Sequence, residues 1–186
     1  MRHLSKTFAC PSLENEEEQT TDIFLSLGSN LGNREENLNK AVEKLAKKAG
    51  CIFAHSSIYE TKPWGFDSEN LFLNIIIGIK TTLSPTELIE RCKRIECEMG
   101  RPPLPEEEYR DRTIDIDILF YGEEVVDLPL LKIPHPRLHL RPFVLEPMNE
   151  IAPDLRHPAL KKTMREIREE LMGVSNNPKL CVTLRR

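Results

Sequence analysis

The alternation of apolar and polar residues over 114–118 predicts a β-strand. Ile114, Ile116 and Ile118 alternate with Asp115 and Asp117, which is the period of two that a strand requires. Both carboxylates therefore lie on one face, with their Cα atoms roughly 6.6 Å apart along the strand. An ordinary half-buried strand explains this pattern, although aspartate is a poor strand former. The alternative is a site for one or two Mg²⁺ ions, which bind carboxylate and phosphate oxygens.

The same reasoning along the chain predicts the element order β-α-β-β-α-β. Asn33 and Ser84 each precede a run of apolar residues at helical spacing, and a glutamate follows each of them three residues later. Gly50 and Gly100 end these two helices. The predicted strands ahead of the aspartate strand cover 22–27, 51–59 and 72–80.

This order predicts an α+β fold with a ferredoxin-like βαββαβ antiparallel sheet, helices packed on one of its faces, and C-terminal additions. The additions contain a predicted strand near Phe143–Pro147 and a helix from about Thr163 to Leu171. We interpret residues 1–21 as a disordered tail, 22–172 as one folded domain and 173–186 as a C-terminal extension.

Composition narrows the class of protein. The chain of 186 residues carries a formal net charge of −4, which argues against a broad nucleic-acid interface. It contains no apolar run of about 18 residues, and its first residues do not resemble a secretory signal, so we expect no membrane association.

The five cysteines lack metal-site or disulfide spacing and are interpreted as reduced thiols, with Cys92 in the core. A cytoplasmic protein is therefore predicted.

Basic and aromatic residues flank the aspartate strand in sequence. Arginines precede it at 101, 110 and 112, and guanidinium groups bind phosphate bidentately, although most loop arginines are simply solvated. His135 lies between two prolines, which restrict the backbone and can orient the imidazole toward a ligand. A histidine that is merely exposed or structural is an equal alternative. Phe72 and Asn74 share one strand face, where an aromatic ring and an amide together suit a flat heterocycle. The alternative is that Phe72 is a core residue and Asn74 a polar residue at the end of a strand. Residues 28–33 (GSNLGN) lack the spacing of either glycine-rich nucleotide fingerprint.

In combination, these segments resemble the 6-hydroxymethyl-7,8-dihydropterin pyrophosphokinase family of folate biosynthesis. The resemblance covers about residues 22–170, and its order of motifs is specific. The matching segments are LGSNLGN at 27–33, SSIYETKPWG at 56–65, FLN at 72–74, GR at 100–101, RTIDIDILFYG at 112–122, IPHPR at 133–137 and RPFVLEPMNEIAP at 141–153.

The resemblance implies an ATP-dependent diphosphokinase that transfers pyrophosphate from ATP to the pterin hydroxymethyl group and releases AMP. It implies ATP as co-substrate and two Mg²⁺ ions held by Asp115 and Asp117. It also implies catalytic roles for Arg101 and Arg112. The remaining implied contacts are Glu96, Arg110, Ile118, His135 and Arg141 for ATP, and Thr61, Trp64, Phe72, Asn74 and Phe143 for the pterin.

The loop before the aspartate strand departs from the family pattern. Pro103 stands where a second basic residue is usual, Tyr109 replaces a tryptophan, Arg110-Asp111 replaces Gly-Pro, and Glu106–Glu108 add an acidic run. These differences put the loop's contacts to ATP in question, and Arg110 is the residue that would compensate.

Two other functions remain open on sequence alone. Ferredoxin-like folds include RNA-recognition modules, but these require a basic face and aromatic platforms on the central strands. A Mg²⁺-dependent phosphoryl or nucleotidyl transferase with another acceptor is the second alternative. We expect small-molecule substrates, no nucleic-acid partner and a monomer.

Overall fold

The computed structural model of the protein describes residues 20–101, 110–174 and 183–185. A short 3₁₀ helix spans Leu138–Leu140. The strands and α-helices in these ranges are, in chain order, β1 (Thr21–Ser29), α1 (Arg34–Lys48), β2 (Cys51–His55), β3 (Ile58–Thr61), β4 (Phe72–Thr81), α2 (Pro85–Glu98), β5 (Asp115–Tyr121), β6 (Val126–Leu128), β7 (Leu131–Ile133), α3 (Pro142–Ile151), α4 (Met164–Val174) and β8 (Thr183–Arg185).

Six of these strands form one antiparallel sheet. Its order is β5-β1-β4-β3-β8, and β2 pairs with β4 alongside β3. β6 and β7 form a separate hairpin. Ser56 and Ser57 separate β2 from β3, and the Ser56 hydroxyl accepts a hydrogen bond from the backbone N–H of Ile76 on β4 at 3.0 Å. The predicted βαββαβ order and antiparallel sheet are confirmed, with the second predicted strand divided in two.

Both predicted helix N-termini are present. The Asn33 side chain accepts from the backbone N–H of Glu36, and α1 buries Leu38, Val42 and Leu45. Ser84 and Glu87 cap α2 reciprocally, with Pro85 in its first turn. Since each cap satisfies backbone N–H groups that a helix start leaves unpaired, these residues fix where α1 and α2 begin.

Two apolar cores lie on opposite faces of the sheet. The first packs α1 and α2 against the aliphatic residues of β1, β4 and β5. The second lies beneath α3 and α4. The expectation that α1 and α2 pack on one face is confirmed, and the C-terminal additions supply a second helical layer on the other face. The sheet residues of the second core are Phe24, Ile76, Leu119 and Phe120, and Leu138 of the 3₁₀ helix joins them.

The strand predicted near Phe143–Pro147 is an α-helix instead. Pro142 occupies the first turn of α3, where its missing N–H leaves no bond unmade. Val144, Leu145 and Met148 are buried at helical spacing. A short apolar run does not distinguish a strand from a buried helix, and here the proline start and tertiary packing decide. The helix predicted at Thr163–Leu171 is confirmed as α4.

The chain ends differ from expectation in detail. The sequence predicts that the tail extends to residue 21, but Thr21 pairs with Thr81 in the sheet. Residues 1–19 of the predicted tail lie outside the described ranges. In the predicted C-terminal extension, Thr183–Arg185 form β8 at the sheet edge. Among the helices of the described ranges, none combines the length and the apolar composition of a membrane span.

The prediction of reduced cysteines is wrong for Cys51, which forms a disulfide bond. Cys92 and Cys97 are free thiols. Cys92 is buried in the first core, as predicted, and burial raises the pKa of its thiol to about 12.

Glu98 links the two helices of the first layer. Its carboxylate lies 2.6 Å from Lys44 Nζ and 2.7 Å from Lys48 Nζ. Hydrogen bonds from Lys44 and Lys48 lower the pKa of Glu98 to about 2. Because the pKa of an unfolded glutamate is about 4.3, this interaction stabilises the fold fully above that pH and is lost as the pH falls toward 2.

We therefore expect Glu98→Gln to lower the melting temperature by about 1–3 °C at neutral pH, since exposed pairs contribute little. The difference from wild type should close between about pH 4 and pH 2 in thermal scans. Glu90→Gln, an exposed position on the same helix, is the control. A difference that persists unchanged at the acid end would mean that charge is not the cause.

Candidate active site

The pairing of β5 with β1 places both aspartates over small residues. Asp115 is opposite Gly28, and Asp117 is opposite Ser26. These four residues lie on the face of the sheet that carries α3 and α4, but at the end that those helices leave open. The site is therefore an uncovered part of an otherwise packed sheet face.

A cavity opens over this end of the sheet. Asn74 is buried on its floor, and its side-chain amide donates to the Thr61 hydroxyl at 2.8 Å. An amide surrounded by aromatic rings suits a flat ligand with hydrogen-bonding edges. The aromatic residues of the wall are Trp64, Phe66, Phe72 and Phe143.

A larger groove meets this cavity at the aspartates. Asp115, Asp117, Arg112 and Arg141 line both spaces. The groove continues between the end of α2 and the β6–β7 hairpin, where most of the charged side chains are basic. Such a surface suits an anion such as a phosphate chain. Its other basic residues are Lys93, Arg101, Arg110, Lys132, His135 and Arg137.

Arginines neutralise the two carboxylates. Asp115 lies 2.5 Å from Arg101 Nη1 and 3.1 Å from Arg112 Nη1. Burial alone would raise the pKa of Asp115, but the Arg112 and Arg101 guanidinium groups outweigh it and hold that pKa below its usual value. Asp117 lies 2.9 Å from Arg141 Nη1 and 3.8 Å from His135 Nε2. Desolvation lowers the pKa of His135 despite Asp117, so its imidazole is neutral near pH 7.

Glu96 supports this cluster from below. Its carboxylate accepts from the backbone N–H of Ile116 at 2.7 Å and lies 2.5 Å from Arg101 Nη1. Burial raises its pKa, and the nearby Asp115 charge adds to that effect. Glu96 therefore ties the end of α2 to β5 between the two aspartates and positions Arg101.

Arg141 connects the two spaces. Its guanidinium carbon lies 5.1 Å from the Trp64 ring centroid and 5.6 Å from that of Phe143, within cation–π range. Its Nε is buried without a hydrogen-bond partner among the residues that the structure describes. The side chain thus extends from the aromatic cavity to Asp117.

Every residue that the sequence nominated lines one of the two spaces. The predicted pterin contacts lie in the cavity. The predicted ATP contacts and both predicted catalytic arginines lie in the groove, including Ile118, which also belongs to the first core, and Arg110, which is exposed. Sequence reasoning missed Ser26 and Gly28 on the floor and Lys62 beside Thr61. The signal for the first two was their period-two spacing on β1.

A family model described as 7,8-dihydro-6-hydroxymethylpterin-pyrophosphokinase (HPPK) matches residues 24–153. This match spans more than half of the chain and includes both aspartates. The chain belongs to the HPPK family.

Named relatives agree with this HPPK assignment. The 2-amino-4-hydroxy-6-hydroxymethyldihydropteridine pyrophosphokinase of Aquifex aeolicus is 42% identical over 150 residues, covering 80% of this chain and 91% of that protein. The protein of the same name from Bacillus subtilis is 43% identical over 129 residues, covering 69% and 76%. The folic acid synthesis protein fol1 of Pneumocystis carinii is 36% identical over 158 residues, and this chain spans only 21% of it.

A crystal structure of Plasmodium falciparum HPPK-DHPS with pteroate has the same fold. It superimposes with a TM-score of 0.70 at 18% sequence identity. The alignment covers 89% of this chain and 45% of the other, so this chain spans about half of that protein. At this identity the similarity concerns the fold alone.

The unequal pairing of the two aspartates leads to a stability prediction. Asp115→Asn removes a carboxylate charge shared by Arg101 and Arg112, and leaves Arg101 paired with Glu96 alone among the described residues. Asp117→Asn affects Arg141 and the more distant His135. We expect Asp115→Asn to lower the free energy of unfolding by about 1–3 kcal/mol, and Asp117→Asn by less. Urea denaturation without ligands measures both.

Asp22→Asn is the control, because its pair with Lys80 is exposed at the far end of β1. If Asp115→Asn proved as stable as wild type, repulsion between the aspartates would outweigh their arginine pairing, contrary to this geometry.

Proposed function

We propose that this chain transfers pyrophosphate from ATP to 6-hydroxymethyl-7,8-dihydropterin, giving AMP and the pterin diphosphate, in folate biosynthesis. Membership of the HPPK family and the names of its relatives support the activity. The observation that carries the assignment of the site is the meeting of an aromatic cavity and a basic groove at Asp115 and Asp117.

The aromatic cavity is the proposed pterin site. Phe72 and Phe143 provide apolar ring faces for stacking, and Trp64 closes one side. The Asn74 amide, oriented by Thr61, presents a donor and an acceptor to the edge of the heterocycle. This arrangement directs the hydroxymethyl group toward the aspartates, where the groove begins.

The basic groove is the proposed ATP site. Arg101, Arg112 and Arg141 surround the point at which the two spaces meet, and we assign the first two to the transferring group. His135 and Arg141 are assigned to ATP phosphates, and Arg110 and Ile118 to the nucleotide side. Glu96 acts on the same side by holding Arg101.

The two carboxylates have the chemistry of a magnesium site. They share one face, open to both spaces and lie over Gly28 and Ser26. The residues that the structure describes contain no group of three or more acidic, histidine or cysteine side chains suited to a metal. Mg²⁺ is nevertheless commonly held by one or two carboxylates together with substrate phosphates. Asp115 and Asp117 would hold two such ions, which neutralise phosphate charge and polarise the attacking hydroxyl.

The protein's part in the reaction is positioning and charge. A bond forms between the pterin hydroxymethyl oxygen and the β-phosphorus of ATP, and the bond from that phosphorus to the α,β-bridging oxygen breaks. AMP leaves with the bridging oxygen, and the hydroxyl proton is released to solvent. Arg101 and Arg112 pair with Asp115 in the free protein, and cations at Asp115 would free them for the phosphates. They then stabilise the charge on the transferring group.

The alternatives have weaker support. An RNA-recognition module conflicts with the net charge of −4 and with two aspartates on the open sheet face. A transferase with another acceptor is compatible with the groove, but an acceptor that is not a flat heterocycle does not explain the aromatic cavity. The monomeric state and the cytoplasmic location stay predictions.

Product analysis tests the proposed reaction. Incubation with ATP, Mg²⁺ and 6-hydroxymethyl-7,8-dihydropterin should give AMP and a pterin diphosphate in phosphorus NMR spectra. Asp115→Asn and Asp117→Asn should each lower turnover at least about 100-fold at saturating Mg²⁺, because each removes a metal-bound charge. Formation of ADP and a pterin monophosphate would refute pyrophosphoryl transfer, and near wild-type turnover of either variant would refute the metal assignment.

Trp64 gives a direct measure of site filling. It is the only tryptophan of the chain, lies half-buried in the cavity wall and contacts Arg141. We expect acrylamide quenching of its fluorescence to decrease when pterin and a non-hydrolysable ATP analogue with Mg²⁺ are both bound. Equal quenching in the free, nucleotide-bound and ternary states, after correction for pterin absorption, would place the pterin elsewhere.

A further inference from the structure

Asp111, which lines the groove, bridges two separate loops. Its Oδ1 accepts a hydrogen bond from Asn30 Nδ2 at 2.5 Å, and its Oδ2 accepts one from Asn70 Nδ2 at 2.5 Å. Asn30 follows β1, and Asn70 lies in the segment between β3 and β4 that carries Trp64. One carboxylate therefore joins the β1–α1 turn to the loop of the aromatic cavity.

Asn30 extends this connection to the backbone of Arg112. It is buried, with 3% of its surface exposed. Its Oδ1 accepts from Arg112 N–H at 2.7 Å, and its own backbone N–H donates to the Arg112 carbonyl at 3.1 Å. The side-chain amide is thus used on both sides, by Arg112 through its oxygen and by Asp111 through its nitrogen.

The side chain of Arg112 reaches both halves of the site. Its guanidinium carbon lies 5.9 Å from the Phe72 ring centroid, and Nη1 lies 3.1 Å from Asp115. A displacement of residues 111–112 would move this guanidinium relative to the pterin-stacking ring and to the aspartate together. A misplacement of about 1 Å can cost about 100-fold in rate.

We propose that Asp111 is a positioning residue that couples the pterin loop to Arg112 through Asn70 and Asn30. This inference rests on the proposed function for its catalytic consequence, whereas the coupling of the loops is a property of the free protein. Asp111 lines the groove, but we assign it no direct part in the transfer. It sets the place of an arginine to which we assign such a part.

The ionised carboxylate is what this geometry requires. Asn30 and Asn70 both approach as amide donors, so position 111 must offer each of them an acceptor oxygen. Hydrogen bonding, first from Ser68 and then from Asn70 and Asn30, lowers the pKa of Asp111 and keeps it ionised. An asparagine at this position would offer one oxygen and turn its NH₂ group toward another donor.

This requirement allows an exchange experiment. Asp111→Asn leaves Asn70 facing a donor, and Asn70→Asp places two carboxylates together. The double variant Asn70→Asp/Asp111→Asn restores complementarity, because the amide introduced at position 111 accepts from Asn30 and donates to the carboxylate introduced at position 70. We expect each single variant to lower kcat about tenfold and to raise the KM for pterin severalfold, and the double variant to recover most of both.

The controls separate positioning from stability. Because Asp111 is only partly buried, we expect a small change in melting temperature for all three variants. Asp22→Asn, an exposed aspartate at the other end of β1, should leave both kinetic constants unchanged. Wild-type kinetics in both single variants, or a double variant no better than the worse single variant, would overturn the proposal.

A measurement in the free protein distinguishes this inference from the proposed reaction. Amide hydrogen exchange over 62–70 should be faster in Asp111→Asn and Asn70→Asp than in wild type, and should return toward wild type in the double variant. This result is expected even if the wild-type protein forms no AMP, in which case only the proposed function fails. Unchanged exchange in the single variants would overturn the coupling itself.

Discussion

The register of β5 on β1 is the constraint on which the site depends. It sets Asp115 against Gly28 and Asp117 against Ser26, and it directs Ile116 and Ile118 into the opposite core. A shift by one residue would bury the carboxylates among leucines and isoleucines and expose the isoleucines to the cavity. The burial of apolar side chains beneath α1 and α2 therefore fixes the direction of the two carboxylates. The same burial that stabilises the fold also points Asp115 and Asp117 into the site.

Partial coverage of the other sheet face creates the space above those charges. α3 and α4 pack over Phe24, Ile76, Leu119 and Phe120 and stop short of the aspartates. Arg141, at the start of α3, lies at this border and contacts Asp117. The same helical layer thus closes the core on one side and contributes a cation to the cavity on the other.

Sequence patterns predicted the parts of this architecture that depend on local chemistry. Period-two alternation located the aspartate strand, and side-chain caps located α1 and α2, because these signals lie within a few residues. The segment at Phe143–Pro147 was misassigned, since its helical state depends on a core formed with distant strands. The nominated site residues lie around two connected spaces, but the roles of Glu96 beneath Arg101 and of Asn30 beside Arg112 depend on contacts across the fold. No spacing within the chain reveals such contacts.

Glu96 has one more consequence, for the edge of the sheet. β5 is the outermost strand on its side, and an unpaired edge can recruit a strand from another molecule. Here the Glu96 carboxylate accepts a hydrogen bond from the backbone N–H of Ile116. The backbone N–H of His135 donates to the carbonyl of Leu119 at 3.0 Å. These contacts block strand addition near the start of β5 and just past its middle. The carboxylate that positions Arg101 therefore also protects an apolar strand from aggregation.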